Sequence, residues 1–97
     1  MSQHTPGPFF TTCPHGGTIY VEARLRGSTI QEVCAVGPTE NPEQQEANAR
    51  LFSAAPDLLE SLELMAVDYH RKGGLGFDLL ASTKMFAAIN KAKGLAL

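Results

Sequence analysis

The sequence predicts an α+β domain with the element order βββααα. Residues 18–26 alternate apolar and polar side chains, a period of two that is typical of a half-buried strand. From residue 42 onward, apolar residues recur at helical spacing, and clusters of Gly and Pro separate the segments. We therefore expect a three-stranded antiparallel sheet, a β-hairpin plus an outer strand, covered by two to three helices in a two-layer sandwich.

The central strand is predicted over residues 18–26, with one apolar face and one polar face. Gly27-Ser28 suits a tight turn, so residues 18–36 are expected to form a hairpin. The second strand, residues 30–36, alternates less cleanly and offers Val33, Ala35 and Val36 for packing. Phe9–Thr12 lies between turn-forming segments and predicts the outer strand of a meander. The inward residues of the central strand are Ile19, Val21, Ala23 and Leu25, and the outward ones are Tyr20, Glu22, Arg24 and Arg26.

Three helices are predicted in the remaining two thirds. Asn41 as a cap, Pro42 at the first position and Gln44 three residues after the cap indicate a helix start near residue 42. Pro56 predicts a kink or break. The second helix should bury a stripe of Leu58, Leu62, Met65 and Tyr69, with Leu59 and Ala66 beside it. The third, from Asp78 to Gly94, should bury Ala81, Met85, Ala88 and Ala92, with Phe86 and Ile89 adjacent.

Length and composition indicate one small domain, residues 1–97. The chain has 97 residues, 43% of them hydrophobic, and a net charge of -2 from 8 basic and 10 acidic side chains. This balance has neither the excess positive charge of a typical nucleic-acid binder nor the strong negative charge of a DNA mimic. The apolar runs are too short to span a membrane, and the first residues do not resemble an export signal. We expect a cytoplasmic protein without a membrane partner.

The charges are unevenly distributed along the chain. Residues 41–68 hold six acidic and one basic side chain, whereas residues 69–97 hold five basic and one acidic. Helix electrostatics and mutual pairing of the two segments are the simplest explanation, and a charged partner surface is the alternative. A homodimer is also a hypothesis, because leucines and a methionine surround much of the second helix and would leave apolar surface exposed.

The cysteines suggest little chemistry. Cys13 and Cys34 are expected to be reduced thiols rather than a disulfide. A zinc site would need Cys13, His15 and Cys34 with His4 or His70, but the two closely spaced ligand pairs of structural zinc are missing, so no metal is predicted.

Catalytic motifs are also weak. Cys13 beside His15 could form an activated nucleophile, and Glu60 with Glu63 an acid–base pair, but a turn and a solvated helix face explain them more simply. No phosphate-binding loop, dinucleotide fingerprint or hydrolase motif is present. We expect no enzyme and no cofactor.

Nucleic-acid binding has partial support. Tyr20, Arg24 and Arg26 share the outward strand face, although Glu22 interrupts them. The C-terminal third could track phosphates through Arg71, Lys72, Lys84, Lys91 and Lys93. No helix-turn-helix pattern or basic aromatic platform accompanies these residues.

Two segments resemble a widespread family of small bacteriophage and prophage proteins of mostly unknown function. Residues 4–9 (H-T-P-G-P-F) are similar to the family's T-P-G-P-W start, with Phe9 in place of Trp. Residues 46–62 (E-A-N-A-R-L-F-S-A-A-P-D-L-L-E-S-L) are similar to its E-A-N-A-R-L-I-A-A-A-P-E-L-L-E-A-L motif, with Phe52 and Ser53 in place of Ile and Ala. The resemblance implies a phage origin more directly than an activity.

The second motif suggests architecture rather than a ligand set. Asn48 and Arg50 could hydrogen-bond the helix to the hairpin, and Pro56 sets the bend. The expected core residues of the motif are Leu51, Leu58, Leu59 and Leu62.

Small phage proteins without catalytic residues often inhibit host machinery, and this association leads to two functional hypotheses. The first is a non-catalytic protein that binds and inhibits a host protein complex, of the anti-CRISPR or another anti-defence type. Its binding surface would be the outward strand face with Tyr20, Glu22, Arg24 and Arg26, or the charged faces of the helices. The alternative is a nucleic-acid-associated accessory protein of phage replication or regulation.

Overall fold

The computed structural model describes residues 4–13 and 17–95. The strands are β1 (Phe9–Thr12), β2 (Ile19–Arg24) and β3 (Ile30–Val36), and the helices are α1 (Pro42–Ser53), α2 (Ala55–Arg71) and α3 (Leu79–Ala92). The predicted α+β class and βββααα order are confirmed. The chain forms two compact units that divide inside α2, a first unit up to Asp57 and a second unit from Leu58.

The three strands form an antiparallel meander in the order β1-β2-β3, as predicted. Phe9 lies opposite Ala23, and Ile19 lies opposite Val36. The hairpin turn is closed by backbone hydrogen bonds between Leu25 N and Thr29 O and between Thr29 N and Arg26 O, both 2.9 Å. β2 ends at Arg24, so Leu25 and Arg26 belong to the turn. The prediction that Leu25 faces the core is wrong, since the turn leaves it 42% exposed.

β3 contains a bulge at Val33. Val21 pairs with Cys34, but the next residue, Glu22, pairs with Glu32, so Val33 has no partner in the register. This extra residue explains the imperfect alternation of β3. Of the residues expected to pack here, Val36 is buried, Ala35 is exposed and Val33 is 37% exposed.

The core of the first unit lies between the sheet and α1. Val21, Val36 and Ala49 form its buried cluster, and the partly buried Phe9, Ile19 and Cys34 pack against it. Val21 and Ala23 have no exposed surface, which confirms the predicted inward face of the central strand. α1 contacts all three strands, so it closes one side of the sheet.

The start of α1 follows from its sequence. The Asn41 side chain accepts a hydrogen bond from Gln44 N at 2.8 Å, and Pro42 occupies the first turn, where its missing N–H costs nothing. The predicted cap and helix start are therefore confirmed.

Gln45 fastens α1 to the sheet. Its side chain is 9% exposed, and its Nε2 donates to Gly17 O at 2.9 Å and to Val36 O at 2.8 Å. Gly17 precedes β2 and Val36 ends β3, so one amide holds two adjacent strands and the helix together. A buried polar group of this kind stabilises a fold only when its hydrogen bonds are made, as they are here.

The break at Pro56 also has a tertiary contact. α1 ends at Ser53 and α2 begins at Ala55, which confirms the predicted break. A Cβ atom added at Gly7 would lie 3.1 Å from Pro56 Cβ. The two segments that resemble the phage family therefore meet in the first unit, and only glycine fits at position 7 without displacing Pro56.

The second unit contains α2 from Leu58 onward and all of α3. Tyr69 on α2 makes edge-to-face ring contacts with Phe77 and Phe86, at centroid distances of 5.3 and 5.2 Å. Lys93 Nζ lies 2.8 Å from Glu63 Oε2. These contacts fix which side of α2 faces α3.

The apolar stripes of both helices are rotated from the predicted positions. In α2 the half-buried apolar side chains include Leu59, Leu62, Ala66 and Tyr69, whereas Leu58 and Met65 are each 49% exposed. In α3 the buried residues are Ser82, Met85 and Ile89, whereas Ala81, Ala88 and Ala92 are exposed. The ring contacts of Tyr69 and Phe86 account for part of this rotation, because large aromatic side chains bury more area than alanines.

Replacement of Gln45 should destabilise the first unit. In Gln45→Ala the carbonyls of Gly17 and Val36 lose their shared donor, and we expect the free energy of unfolding to fall by about 2–3 kcal/mol. Denaturant unfolding measures this change. Gln44→Ala is the matched control, because its side chain is exposed and only its backbone N–H is used. An equal effect of the two substitutions would show that the buried amide contributes nothing.

Candidate functional site

The face of the sheet opposite α1 is the candidate site, and we call it the outer face. Val21 and Ala23 are buried on the face of the sheet that packs against α1, so their neighbours along β2 point to the other side. Residues directly opposite one another in the register share a face. The outer face therefore carries Phe10 and Thr12 from β1, Tyr20, Glu22 and Arg24 from β2, and Ile30, Glu32 and Ala35 from β3.

Three of the four predicted binding residues lie on this face. Tyr20 and Glu22 are half-buried and Arg24 is exposed. Arg24 Nη1 donates to Gly27 O at 3.4 Å, which draws its guanidinium toward the hairpin turn. Arg26 lies in that turn and not on the strand face, because β2 ends two residues earlier.

Two glutamates are partners in the register at the centre of the outer face. Glu22 is directly opposite Glu32 on β3, and on its other side Thr12 Oγ1 donates to Glu22 Oε1 at 3.0 Å. Within the described residues, no ion pair within 4.0 Å involves either glutamate. Like charges directly opposite on adjacent strands are destabilising in general, so we expect this pair to lower the stability of the isolated protein.

A shallow pocket borders the outer face near the hairpin turn. It has a volume of about 370 Å³ and is lined by Pro8, Phe10, Arg24, Leu25 and Gly27. Its walls are mainly apolar, with one guanidinium at the rim. An apolar side chain of a protein partner could enter it beside Phe10.

Of the residues predicted to hold the fold together, some are exposed and others are half-buried. Arg50 is exposed and pairs with Glu46 on its own helix, Nη1 to Oε2 at 3.8 Å, instead of bonding to the hairpin. Leu51 is 57% exposed and Leu58 49%, so neither is a core residue. Asn48, Leu59 and Leu62 are half-buried, like Pro56. The hydrogen bonds that connect α1 to the hairpin come instead from Gln45, which belongs to no motif in the sequence.

Those candidate metal ligands that the structure describes form no cluster. Cys13 is exposed and directly follows β1, and Cys34 is half-buried on β3. His15 lies outside the described residues. In the ranges 4–13 and 17–95, no three His, Cys, Asp or Glu side chains are close enough to hold a metal ion. None of the described helices is long and apolar enough to span a membrane.

Ion pairs connect acidic and basic residues within the second unit. Asp68 accepts a hydrogen bond from Arg71 Nη2 and lies 3.1 Å from Lys72 Nζ. With the Lys93–Glu63 pair, three of the five basic side chains of residues 69–97 have carboxylate partners. Hydrogen bonds from Arg71 and then Lys72 hold the pKa of the Asp68 carboxyl below its usual range.

The sequence pattern does not assign two residues, Glu32 and Phe10, to the outer face. Glu32 precedes the bulge residue, and without the bulge it would alternate onto the opposite face. Phe10 lies in a predicted strand, but a strand of four residues is too short for its alternation to show which face of the sheet Phe10 occupies. The irregular alternation of β3 was the available signal for the bulge.

A family model described as Salmonella phage P22 protein Y8K6 matches residues 1–96. The chain belongs to this phage protein family. The predicted phage origin is thereby confirmed. Searches of curated proteins and of solved structures found no match.

Neutralising one of the two facing glutamates should stabilise the protein. In Glu32→Gln the like-charge contact with Glu22 disappears, and we expect the free energy of unfolding to rise by about 0.2–1 kcal/mol at low salt. Denaturant unfolding at two salt concentrations measures the change, which should shrink as salt screens the repulsion. Glu40→Gln, an exposed position outside the sheet, is the control. A loss of stability specific to Glu32→Gln would contradict the repulsion.

Acid should remove the contribution of the Asp68 pairs. Because its pKa is lowered in the folded state, the carboxylate stabilises the fold above its unfolded pKa of about 4 and loses that contribution as pH falls through the lower folded value. Thermal unfolding of wild type and Asp68→Asn between neutral and strongly acidic pH tests this. We expect wild type to be the more stable at neutral pH and the difference to vanish in acid. A difference independent of pH would contradict the ion pairing, and Glu40→Gln again serves as control.

Proposed function

We propose that this phage protein is a non-catalytic inhibitor that binds a host protein complex, as an anti-CRISPR or other anti-defence protein in the cytoplasm of the infected cell. The observation that carries the proposal is the outer face. α1 contacts the sheet from the opposite side, and within the first unit no helix lies on the outer face. A protein of this phage family thus offers a sheet surface with the composition of a binding site.

The outer face combines apolar anchors with charge that is not neutralised. Phe10 and Tyr20 are half-buried and Ile30 is 46% exposed, and the Glu22–Glu32 pair lies among them. Aromatic anchors are enriched in protein interfaces, and carboxylates give them specificity. A partner with an arginine or lysine opposite the two glutamates would relieve their repulsion. The stability lost in the free protein would then become affinity in the complex.

Phage restriction assays test this function directly. Bacterial strains that each carry one CRISPR or other defence system would express the chain and then be challenged with a phage that the system restricts. We expect plating efficiency to rise in at least one strain. The double substitution Glu22→Lys and Glu32→Lys should abolish the rise, since it reverses the charge of the outer face.

Controls separate this mechanism from its alternatives. The double substitution Glu40→Lys and Glu43→Lys makes the same charge change away from the sheet and should leave the protection intact. With the purified defence complex, inhibition should be complete at about one chain per complex, and the outer-face variant should bind at least about tenfold more weakly. No protection in any strain, or full activity of the outer-face variant, would refute the proposal. Inhibition by far fewer chains than complexes would indicate an enzyme.

The alternative, a nucleic-acid accessory protein, has less support. Its proposed phosphate-binding residues include Arg71, Lys72 and Lys93, which are paired with Asp68 or Glu63. Pairing reduces the charge available for phosphates. Salt-sensitive binding to single- or double-stranded DNA in a gel-shift titration would revive this function.

A further inference from the structure

The second unit presents a stripe of four exposed residues along α2, Glu60, Leu64, Val67 and Arg71, which we call the α2 stripe. Leu64 is 64% exposed and Val67 62%, while the Arg71 side chain is 73% exposed and Glu60 is also exposed. The spacings of four, three and four residues place all four side chains on one side of the helix. Leu64 and Val67 thus form a small apolar patch on one side of the helix, with a charged residue at each end.

The α2 stripe is distinct from the side of α2 that faces α3. That side is defined by the Glu63–Lys93 ion pair and by the ring contacts of Tyr69 with Phe77 and Phe86. α2 has no buried residue along its 17 residues. The leucine and valine of the stripe are therefore left uncovered by the contacts that hold α2 to α3.

The order of residues in the α2 stripe is self-complementary. Glu60 lies four residues before Leu64, and Arg71 lies four residues after Val67. In an antiparallel pair of α2 helices with a two-fold axis between Leu64 and Val67, each Leu64 lies opposite Val67 of the partner subunit. At each end, Glu60 then lies opposite Arg71 of the partner subunit. A two-fold interface requires this kind of self-matching surface.

We infer that the α2 stripe binds the α2 stripe of a second copy of this chain, in antiparallel orientation. Leu64 and Val67 form the apolar centre, and two Glu60–Arg71 ion pairs close the ends. Arg71 can serve both Asp68 and the new partner, since a guanidinium has five N–H donors. One pair of helices makes a small interface, so the dimer forms in the micromolar range.

Charge reversal with the full chain tests both the dimer and its orientation. Sedimentation velocity would be measured from about 1 to 500 μM, a range that brackets micromolar dissociation constants. Wild type should shift from monomer to dimer across this range. Glu60→Arg places two arginines together at each end, and Arg71→Glu places two glutamates together, so each variant alone should dimerise at least about tenfold more weakly.

Mixing the two variants provides the decisive measurement. In the mixed pair, the new arginine at position 60 meets the new glutamate at position 71, and the original Arg71 meets the original Glu60. An equimolar mixture of Glu60→Arg and Arg71→Glu should therefore recover dimer formation. Recovery also shows that neither variant is unfolded, which circular dichroism would check independently.

Apolar substitutions test the centre of the interface. Leu64→Ser should weaken the dimer, whereas Leu75→Ser is the matched control, because Leu75 is 80% exposed in the loop outside α2. A wild-type chain that stays monomeric throughout would overturn the inference. So would a dimer that both charge variants preserve, a mixture that stays monomeric, or equal effects of the two leucine substitutions.

Discussion

The buried amide of Gln45 is the interaction on which the first unit depends. Its two hydrogen bonds reach Gly17, before β2, and Val36, at the end of β3, so they connect the helix to two neighbouring strands at once. Val21, Val36 and Ala49 form only a small apolar cluster, which alone gives little directional constraint. Hydrogen bonds in a low-dielectric interior are directional, and they set where α1 lies on the sheet.

The position of α1 determines which face of the sheet is covered within the first unit. With Val21 covered, alternation along β2 turns Tyr20, Glu22 and Arg24 to the outer side, and the bulge at Val33 brings Glu32 beside Glu22. Selection for stability alone would not favour two glutamates paired across adjacent strands. Phe10, Tyr20 and Ile30 on the same face supply apolar contact area, so the expected cost in stability agrees with the proposed binding of a host protein.

The near-neutral net charge conceals two different arrangements of charge. Within the second unit, Asp68 forms ion pairs with Arg71 and Lys72, and Glu63 forms one with Lys93. These pairs offset three of the positive charges of this unit. Along the exposed side of α2, in contrast, Glu60 and Arg71 are too far apart to pair with each other. Eleven positions on a helix separate them by about 16 Å. Their placement on either side of two aliphatic residues makes that side complementary to a second copy of itself.

The sequence by itself determined the element order, the inward face of β2, the cap at Asn41 and the break at Pro56, because each depends on residues a few positions apart. Tertiary structure decided the rest. Gln45 finds acceptors up to 28 residues away, and the bulge in β3 sets the side of Glu32. The stripes of α2 and α3 were mispredicted because α2 is apolar on several sides, so periodicity alone could not choose among them. Contacts between distant aromatic rings made that choice.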